Sequence, residues 1–229
     1  MSDSLVVIPA RGGSKGIPKK NMRSIGGKPL ITWSIEHALQ ASCVDRVIVT
    51  TDSEEIAELA EAAGAEVPFI RPTDISTDVA TTESAISHAL DWLKVNQDYV
   101  PKDVILLQPT SPFRESGAVD RAYDSYKKGG FDSMLSVAEF WHFLWKDGQS
   151  AQAMYDYKNR PRRQDIPTTD VKFKENGSIY LFGTEGFLRN NNRLFGCIGL
   201  FCMSELESFE IDTEEDWAIV EAILSTKYL

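Results

Sequence analysis

Four basic residues, Arg11, Lys15, Lys19 and Lys20, fall within ten positions of the segment Ala10-Arg-Gly-Gly-Ser-Lys-Gly-Ile-Pro-Lys-Lys-Asn21. Gly12, Gly13 and Gly16 alternate with them, so backbone N–H groups can converge on an anion while the side chains supply charge. The whole chain has 24 Lys and Arg against 34 Asp and Glu, a net charge of −10. A basic cluster this dense in an acidic chain implies a polyanionic ligand such as a nucleoside triphosphate. The competing reading is a solvated basic loop. Neither G-x-x-x-x-G-K-[ST] nor G-x-G-x-x-G can be read here, which sets aside the P-loop and the dinucleotide fingerprint.

Other polar clusters carry different chemistry. In Glu210-Ile-Asp-Thr-Glu-Glu-Asp216, an extended backbone would turn Glu210 and Asp212 the same way, as a pair of Mg²⁺ ligands requires. The same run also suits the first turn of a helix, with Thr213 and Asp216 as a capping pair. Arg71-Pro-Thr-Asp74, Thr81-Thr-Glu83 and Gln108-Pro-Thr-Ser-Pro-Phe-Arg114 each follow or precede a regular element. Singly, each reads as a turn with a helix cap. Together on one sheet edge they would form a pocket, with the prolines stiffening the last loop and aiming Gln108 or Arg114 inward. His37, His88 and His142 are scattered and show neither triad nor zinc spacing.

These segments can meet only if the elements between them are ordered correctly. Leu5–Pro9 is a β-branched run suited to a buried parallel strand. Pro29 opens a helix with Leu30, Ile31, Ser34, Ile35, Ala38 and Leu39 on one face. Arg46–Thr51 reads as the next strand, and Asp52 or Ser53 caps a helix through Ala63. Further strands are expected at Glu66–Ile70, Val104–Gln108, Ser133–Val137 and Ser178–Phe182. Helices are expected at Thr82–Lys94, 116–128 and Thr213–Leu224. The alternation predicts one domain over 1–229, a doubly wound, mostly parallel α/β sheet whose ligands bind at the carboxyl ends of the strands. Residues 140–175 break the pattern with Phe140-Trp-His-Phe-Leu-Trp145 and the Arg-rich Tyr157–Asp165. That stretch reads as an insertion, its aromatics facing either a second subunit or a local hairpin.

Composition narrows the classes. With 42% hydrophobic and 25% charged residues, the chain can bury a core and is not a disordered polymer. Its apolar runs are far shorter than the roughly 20 residues that span a bilayer. The acidic balance argues against general nucleic-acid or anionic-membrane binding. Met1–Ser4 lacks a basic n-region, and the expectation is a soluble cytoplasmic protein. Cys43, Cys197 and Cys202 are expected as core thiols, the last two facing opposite ways and so neither bridged nor sharing a metal.

Taken together, the loop from Ala10 to Asn21 resembles the nucleotide-binding loop of the acylneuraminate cytidylyltransferases. The similarity continues in Gly27-Lys-Pro-Leu30, Ser76-Thr-Asp78, Leu106-Leu-Gln-Pro-Thr-Ser-Pro-Phe-Arg114, Arg162-Arg-Gln-Asp165, Glu175-Asn-Gly-Ser-Ile-Tyr180 and Ile211–Asp216. The resemblance implies a Rossmann-like nucleotidyltransferase that transfers CMP from CTP to a nine-carbon 2-keto sugar acid, with Mg²⁺ as cofactor and pyrophosphate as product. It implies catalytic roles for Lys20, Arg11 and Lys15, with Lys20 nearest the α-phosphate. Arg11, Gly12, Ser14, Lys15, Asn21, Arg71 and Thr82 would bind nucleotide. Gln108, Arg163, Asn176 and Tyr180 would bind the sugar acid, and Asp212 and Glu210 the metal. It further implies that the insertion at 140–175 makes a homodimer and reaches into the partner's site. Glu210 stands where an Asp is common, and Lys174 where an Arg is common. Kdo cytidylyltransferases, the nearest rivals, typically have Arg after the loop Ser and a Gln-Gly-Asp-Glu-Pro element; this chain has Lys15 and Gln108–Pro112. A nucleotide-binding regulatory protein without turnover is the reading from another class.

Overall fold

The computed structural model of the protein describes residues 3–14 and 16–227. Six strands form the central sheet: β1 Ser4–Pro9, β2 Arg46–Thr50, β3 Asp103–Leu107, β4 Ser133–Phe140, β5 Lys172–Gly183 and β6 Ile198–Cys202. Their spatial order is β6-β4-β5-β3-β1-β2. β1 runs parallel to β2 and β3, and β4 parallel to β6, whereas β5 is antiparallel to both of its neighbours. The chain moves outward from β1 to β2 and then returns to place β3 on the other side of β1. That reversal leaves a crevice at the carboxyl ends of β1 and β3, the usual ligand position in such a sheet.

Period two along the strands builds two cores. Val6, Ile8, Val47, Val49, Ile105 and Leu107 face one side, under α1 (Leu30–Leu39), α2 (Glu54–Ala62) and α4 (Ala118–Gly129). Leu5, Val7, Ile48, Val104 and Leu106 face the other, under α3 (Thr82–Gln97) and α5 (Thr184–Asn190). The sheet is therefore covered on both faces, as the hydrophobic runs require. A third cluster joins Ile17, Ile25 and Trp33 to Ile211 and to Trp217 and Val220 of α6 (Glu214–Lys227). It fastens the glycine loop to the C-terminal helix. Among the described residues, no helix is long and apolar enough to cross a membrane.

Some expectations are corrected. Glu66–Ile70 is not a strand: it makes only single bridges, Ile48 with Glu66 and Thr51 with Ile70. Pro68 between them has no N–H to continue a ladder. α5 is an element the sequence reading did not assign; β6 lies in the extended segment that carries Cys197 and Cys202. β6 is an edge strand whose positions 198, 200 and 202 face outward, so Cys202 is exposed, as is Cys197 just before the strand. Cys43 is half-buried. The core-thiol expectation therefore fails for the last two.

β4 and β5 also run longer than their apolar cores, pairing Val137–Phe140 with Lys172–Glu175 beyond the sheet. Residues 141–171 cap this arm with a short ribbon, Trp145–Lys146 against Gln152–Ala153. Phe143 stacks on Tyr155 at 4.4 Å, and the guanidiniums of Arg160 and Arg163 lie over Phe143 and Trp141. A local hairpin core thus exists, yet Trp145, Met154 and Tyr157 remain more than half exposed.

Where the arm leaves the sheet, Leu135 pairs with Tyr180 and Val137 with Glu175. Ser136 alone therefore faces Asn176–Ile179, a wide β-bulge. Arg114, fully buried, fastens that bulge to the loop after β3. Its guanidinium donates to Ser178 O at 2.8 Å, Gln108 O at 3.1 Å and the Ser34 hydroxyl at 3.1 Å. Of the two side chains that could have turned inward, Arg114 is thus spent on the scaffold.

His37 of α1 lies close enough to feel this charge. Burial, then Arg114 and Lys28, lower its pKa to about 3, against a hydrogen bond to the Pro112 backbone. The unfolded chain takes up a proton near pH 6.5 that the folded chain refuses, so folding stability falls as pH drops from 6.5 toward 3. His37→Gln is predicted to flatten that acid decline in urea unfolding measured across this window. Superimposable wild-type and variant profiles would contradict the assignment.

Candidate active site

The loop after β1 is held from several sides. Ile17 is buried in the third cluster. Gly16 lies so close to the C-terminal segment that a Cβ there would sit 2.3 Å from Asp212 O, which excludes any side chain. Gly12 N donates to Asp52 Oδ1 at 2.9 Å, and the buried Asn21 donates through Nδ2 to Arg11 O at 3.1 Å. Asn21 therefore acts on the loop as well as lying at the cleft. Gly12 spends its N–H on Asp52.

These restraints leave a cleft of about 380 Å³ at the switch point. Arg11, Ser14, Lys20, Asn21, Arg71, Thr82, Gln108 and Asp212 all line it. Arg71 is only 5% exposed. Its Nε donates to Ser76 Oγ at 2.9 Å and its Nη1 to Thr50 O at 3.4 Å. Burial lowers its pKa; Asp52, with an oxygen 4.0 Å away, opposes this, and the Arg11 charge adds to it. Two guanidiniums that repel each other across one cleft favour an anion between them. At the N-terminus of α3, the Thr81 hydroxyl caps Ser84 N, leaving Thr82 to face the cleft.

Lys20 Nζ donates to Ile211 O at 2.7 Å and to Asp212 Oδ1 at 3.1 Å. The acidic run divides its labour. Asp216 accepts from Asp212 N, Thr213 N and the Thr213 hydroxyl, and its own N–H bonds back to that hydroxyl. The capping pair is therefore Thr213 with Asp216, while Asp212 turns to the cleft. Ile211 is buried between Glu210 and Asp212, and its N–H is tied to Thr110 O at 2.8 Å. Burial, then the charge of Asp212, raises the pKa of the half-buried Glu210. Asp212 lines the cleft and Glu210 does not, but Glu210 lies near enough to feel its charge, and two neighbouring carboxylates suit a divalent cation. Among the described residues no three His, Cys, Asp or Glu gather as a metal cage. A two-carboxylate site is the sort Mg²⁺ uses, the remaining ligands being phosphate oxygens and water.

Gly177 has φ +62°, and a Cβ there would come within 2.8 Å of Gln108 Oε1 and 3.0 Å of the Glu210 carboxyl. The bulge thus brings bare backbone against both side chains. It also withdraws two expected sugar ligands. Asn176 is fully buried: Nδ2 donates to Ser208 Oγ at 2.9 Å, and Oδ1 accepts from Ser136 Oγ at 2.6 Å. Tyr180 is 2% exposed, its hydroxyl donating to Glu175 and its ring lying 4.6 Å under the Arg193 guanidinium. Neither lines the cleft, because the bulge rotates Asn176 inward and Tyr180 belongs to the α3 side of the core. Arg163 is exposed on the arm, stacked on Trp141 rather than facing the cleft of its own chain. Lys15 lies outside the described residues. Sequence reasoning missed Asp52 and Asp78 as site residues. Asp52 follows β2 at the same sheet edge as Arg11, and that position was the available signal.

Residues 5–185 match the family model described as cytidylyltransferase. The chain belongs to the cytidylyltransferase family. It is 35% identical over 230 residues to the CMP-N,N'-diacetyllegionaminic acid synthase of Legionella pneumophila, covering 96% of this chain and 95% of that one. It is 29% identical to the pseudaminic acid cytidylyltransferase of Campylobacter jejuni, over 93% and 92% of the two chains. It is 32% identical to the N-acylneuraminate cytidylyltransferase of Escherichia coli O18:K1:H7, over 97% of this chain and 52% of that longer protein. In fold it is similar to a CMP:2-keto-3-deoxy-manno-octonic acid synthetase complexed with CTP, with a TM-score of 0.71, 19% identity, and coverage of 99% and 100%. The doubly wound, mostly parallel sheet expected from the sequence is thus present and is similar to that of a solved nucleotide-bound synthetase.

The buried amide at the bulge yields a stability prediction. Asn176→Ala takes the acceptor from the buried Ser136 hydroxyl and a donor from Ser208 Oγ, and should lower unfolding free energy by about 1–3 kcal/mol. Denaturant unfolding without any ligand measures it. An unchanged midpoint would mean that Asn176 is not part of the scaffold.

Proposed function

We propose that this cytidylyltransferase transfers CMP from CTP to the anomeric hydroxyl of a nonulosonic acid, a nine-carbon 2-keto sugar acid, and releases pyrophosphate. The observation that carries this is the convergence of Arg11, Lys20 and Arg71 on one cleft beside the Glu210–Asp212 pair. The names of two relatives similar over more than nine-tenths of the chain support the choice of acid class.

The anomeric oxygen attacks the α-phosphorus in line. The new O–P bond forms as the bond to the bridging oxygen of the leaving pyrophosphate breaks, and the hydroxyl proton passes to solvent or a phosphate oxygen. Negative charge grows on the α-phosphoryl oxygens and on the leaving group, so fixed cations contribute most to the rate. Arg11 and Ser14 hold the triphosphate, together with Lys15. Lys20 faces the α-phosphate, already oriented by Ile211 O. Asn21 sets the loop against the nucleoside, and Arg71 and Thr82 meet the cytidine. Gln108, pressed against Gly177, faces the sugar acid, while Asn176 and Tyr180 support that wall from behind. Asp212 and Glu210 would hold Mg²⁺, which supplies charge neutralisation at the phosphates. The open aromatic surface of the arm supports a homodimer in which Arg163 reaches the sugar carboxylate of the neighbouring site, a bidentate match that Arg geometry favours.

Pyrophosphate release with CTP and Mg²⁺ tests the assignment, with N-acetylneuraminate, legionaminate, pseudaminate and Kdo offered separately. Turnover is expected with a nine-carbon acid; turnover with Kdo alone would replace the proposed substrate class. Lys20→Ala should reduce turnover at least about tenfold with the fold intact. Asp212→Asn should abolish Mg²⁺-dependent turnover, and near-normal rates would remove Asp212 from the metal site.

A further inference from the structure

The cationic side chains of the cleft are matched by carboxylates: Arg11 by Asp78 at 2.5 Å, Lys20 by Asp212 at 3.1 Å and Arg71 by Asp52 at 4.0 Å. The three carboxylates are not equivalent. Asp52 also accepts Gly12 N and so belongs to the frame of the loop. Asp212 is continuous with the C-terminal segment that the Thr213–Asp216 cap and Ile211 fix in place. Asp78 lies in the irregular stretch between the turn Thr73–Ile75 and α3; its side chain is 42% exposed and its neighbour Val79 88% exposed. Ser76 fastens the near end of this stretch to Arg71 Nε and Pro72 O, so the contact of Asp78 with Arg11 is separate from those that hold Arg71.

We propose that Asp78 is an internal stand-in for a nucleotide phosphate. It holds Arg11 when the cleft has no nucleotide, yields that guanidinium to the triphosphate, and takes it back as pyrophosphate leaves. The inference rests on the CTP reading above and adds a residue to it. An ion pair this exposed is weak. A phosphate offers the same guanidinium shorter, bidentate, more highly charged contacts, so the exchange runs toward bound nucleotide. The carboxylate nevertheless competes, and it keeps the Arg11 charge matched in a cleft that also holds Arg71. Asp78 is thus a positioning residue that acts through Arg11.

Calorimetric titration of the full chain with CTP, and separately with cytidine, tests this. Asp78→Asn should bind CTP about two- to fivefold more tightly than wild type, which is the worth of removing an exposed competing carboxylate. Cytidine affinity should not change, and Asp78→Glu should stay near wild type. Equal or weaker CTP binding by Asp78→Asn would overturn the proposal, and weaker binding would make Asp78 a direct nucleotide contact. An equal gain for cytidine would also overturn it, since that would report general loosening of the 76–81 stretch. A wild-type chain that binds no CTP would instead overturn the parent reading.

Discussion

Arg11 and Arg71 line one cleft, and the elements around them supply each with a carboxylate partner. Burial would ordinarily drive a guanidinium to find carboxylates, and an acidic chain offers many. The solution is asymmetric. Asp52 serves Arg71 and the Gly12 amide from the scaffold side, while Asp78 meets Arg11 from a loop. Arg11, Lys20 and Arg71 thus each meet a carboxylate, and an anionic ligand binds by taking the place of such a partner.

The second constraint is mechanical. The loop after β1, the loop after β3 and the C-terminal segment come from distant parts of the chain, yet they must stay in fixed relation. Gly16 against Asp212 O, Ile211 N on Thr110 O and Lys20 on Ile211 O join the three. Arg114 and the Ser111 hydroxyl then fasten the loop after β3 to the bulge in β5, by donating to Ser178 O and Asn176 O. Residues that look like ligands by chemistry are spent on holding others. The bulge also lets β4 and β5 leave the sheet as an arm without disturbing the strands below it.

Much of this was legible in the sequence because it depends on local patterns. β-branched runs gave β1, β2 and β3; Pro29 and Ser53 marked helix starts; and the concentration of Arg11, Lys15, Lys19 and Lys20 marked the loop. What escaped depends on three-dimensional context. Pro68 prevents a strand that composition allowed. β6 turns Ile198, Leu200 and Cys202 outward at the sheet edge, which left the thiol in solvent. Asn176 and Tyr180 lie in a promising polar segment, but the four residues opposite Ser136 turn the amide inward, and no period-two count can foresee a bulge of that width. Lys19 shows the same limit on charge: it pairs with Glu55 at 2.8 Å on the surface instead of joining the cleft.

The central claim is that the cleft at the carboxyl ends of β1 and β3 receives the triphosphate of CTP. A crystal structure of the protein with CTP and Mg²⁺, without sugar acid, tests it most directly. The account predicts the triphosphate lying between Arg11 and Lys20, the α-phosphate within hydrogen-bond reach of Lys20 Nζ, and cytosine toward Arg71 and Thr82. Nucleotide bound elsewhere, with Lys20 still held only by Ile211 O and Asp212, would contradict it.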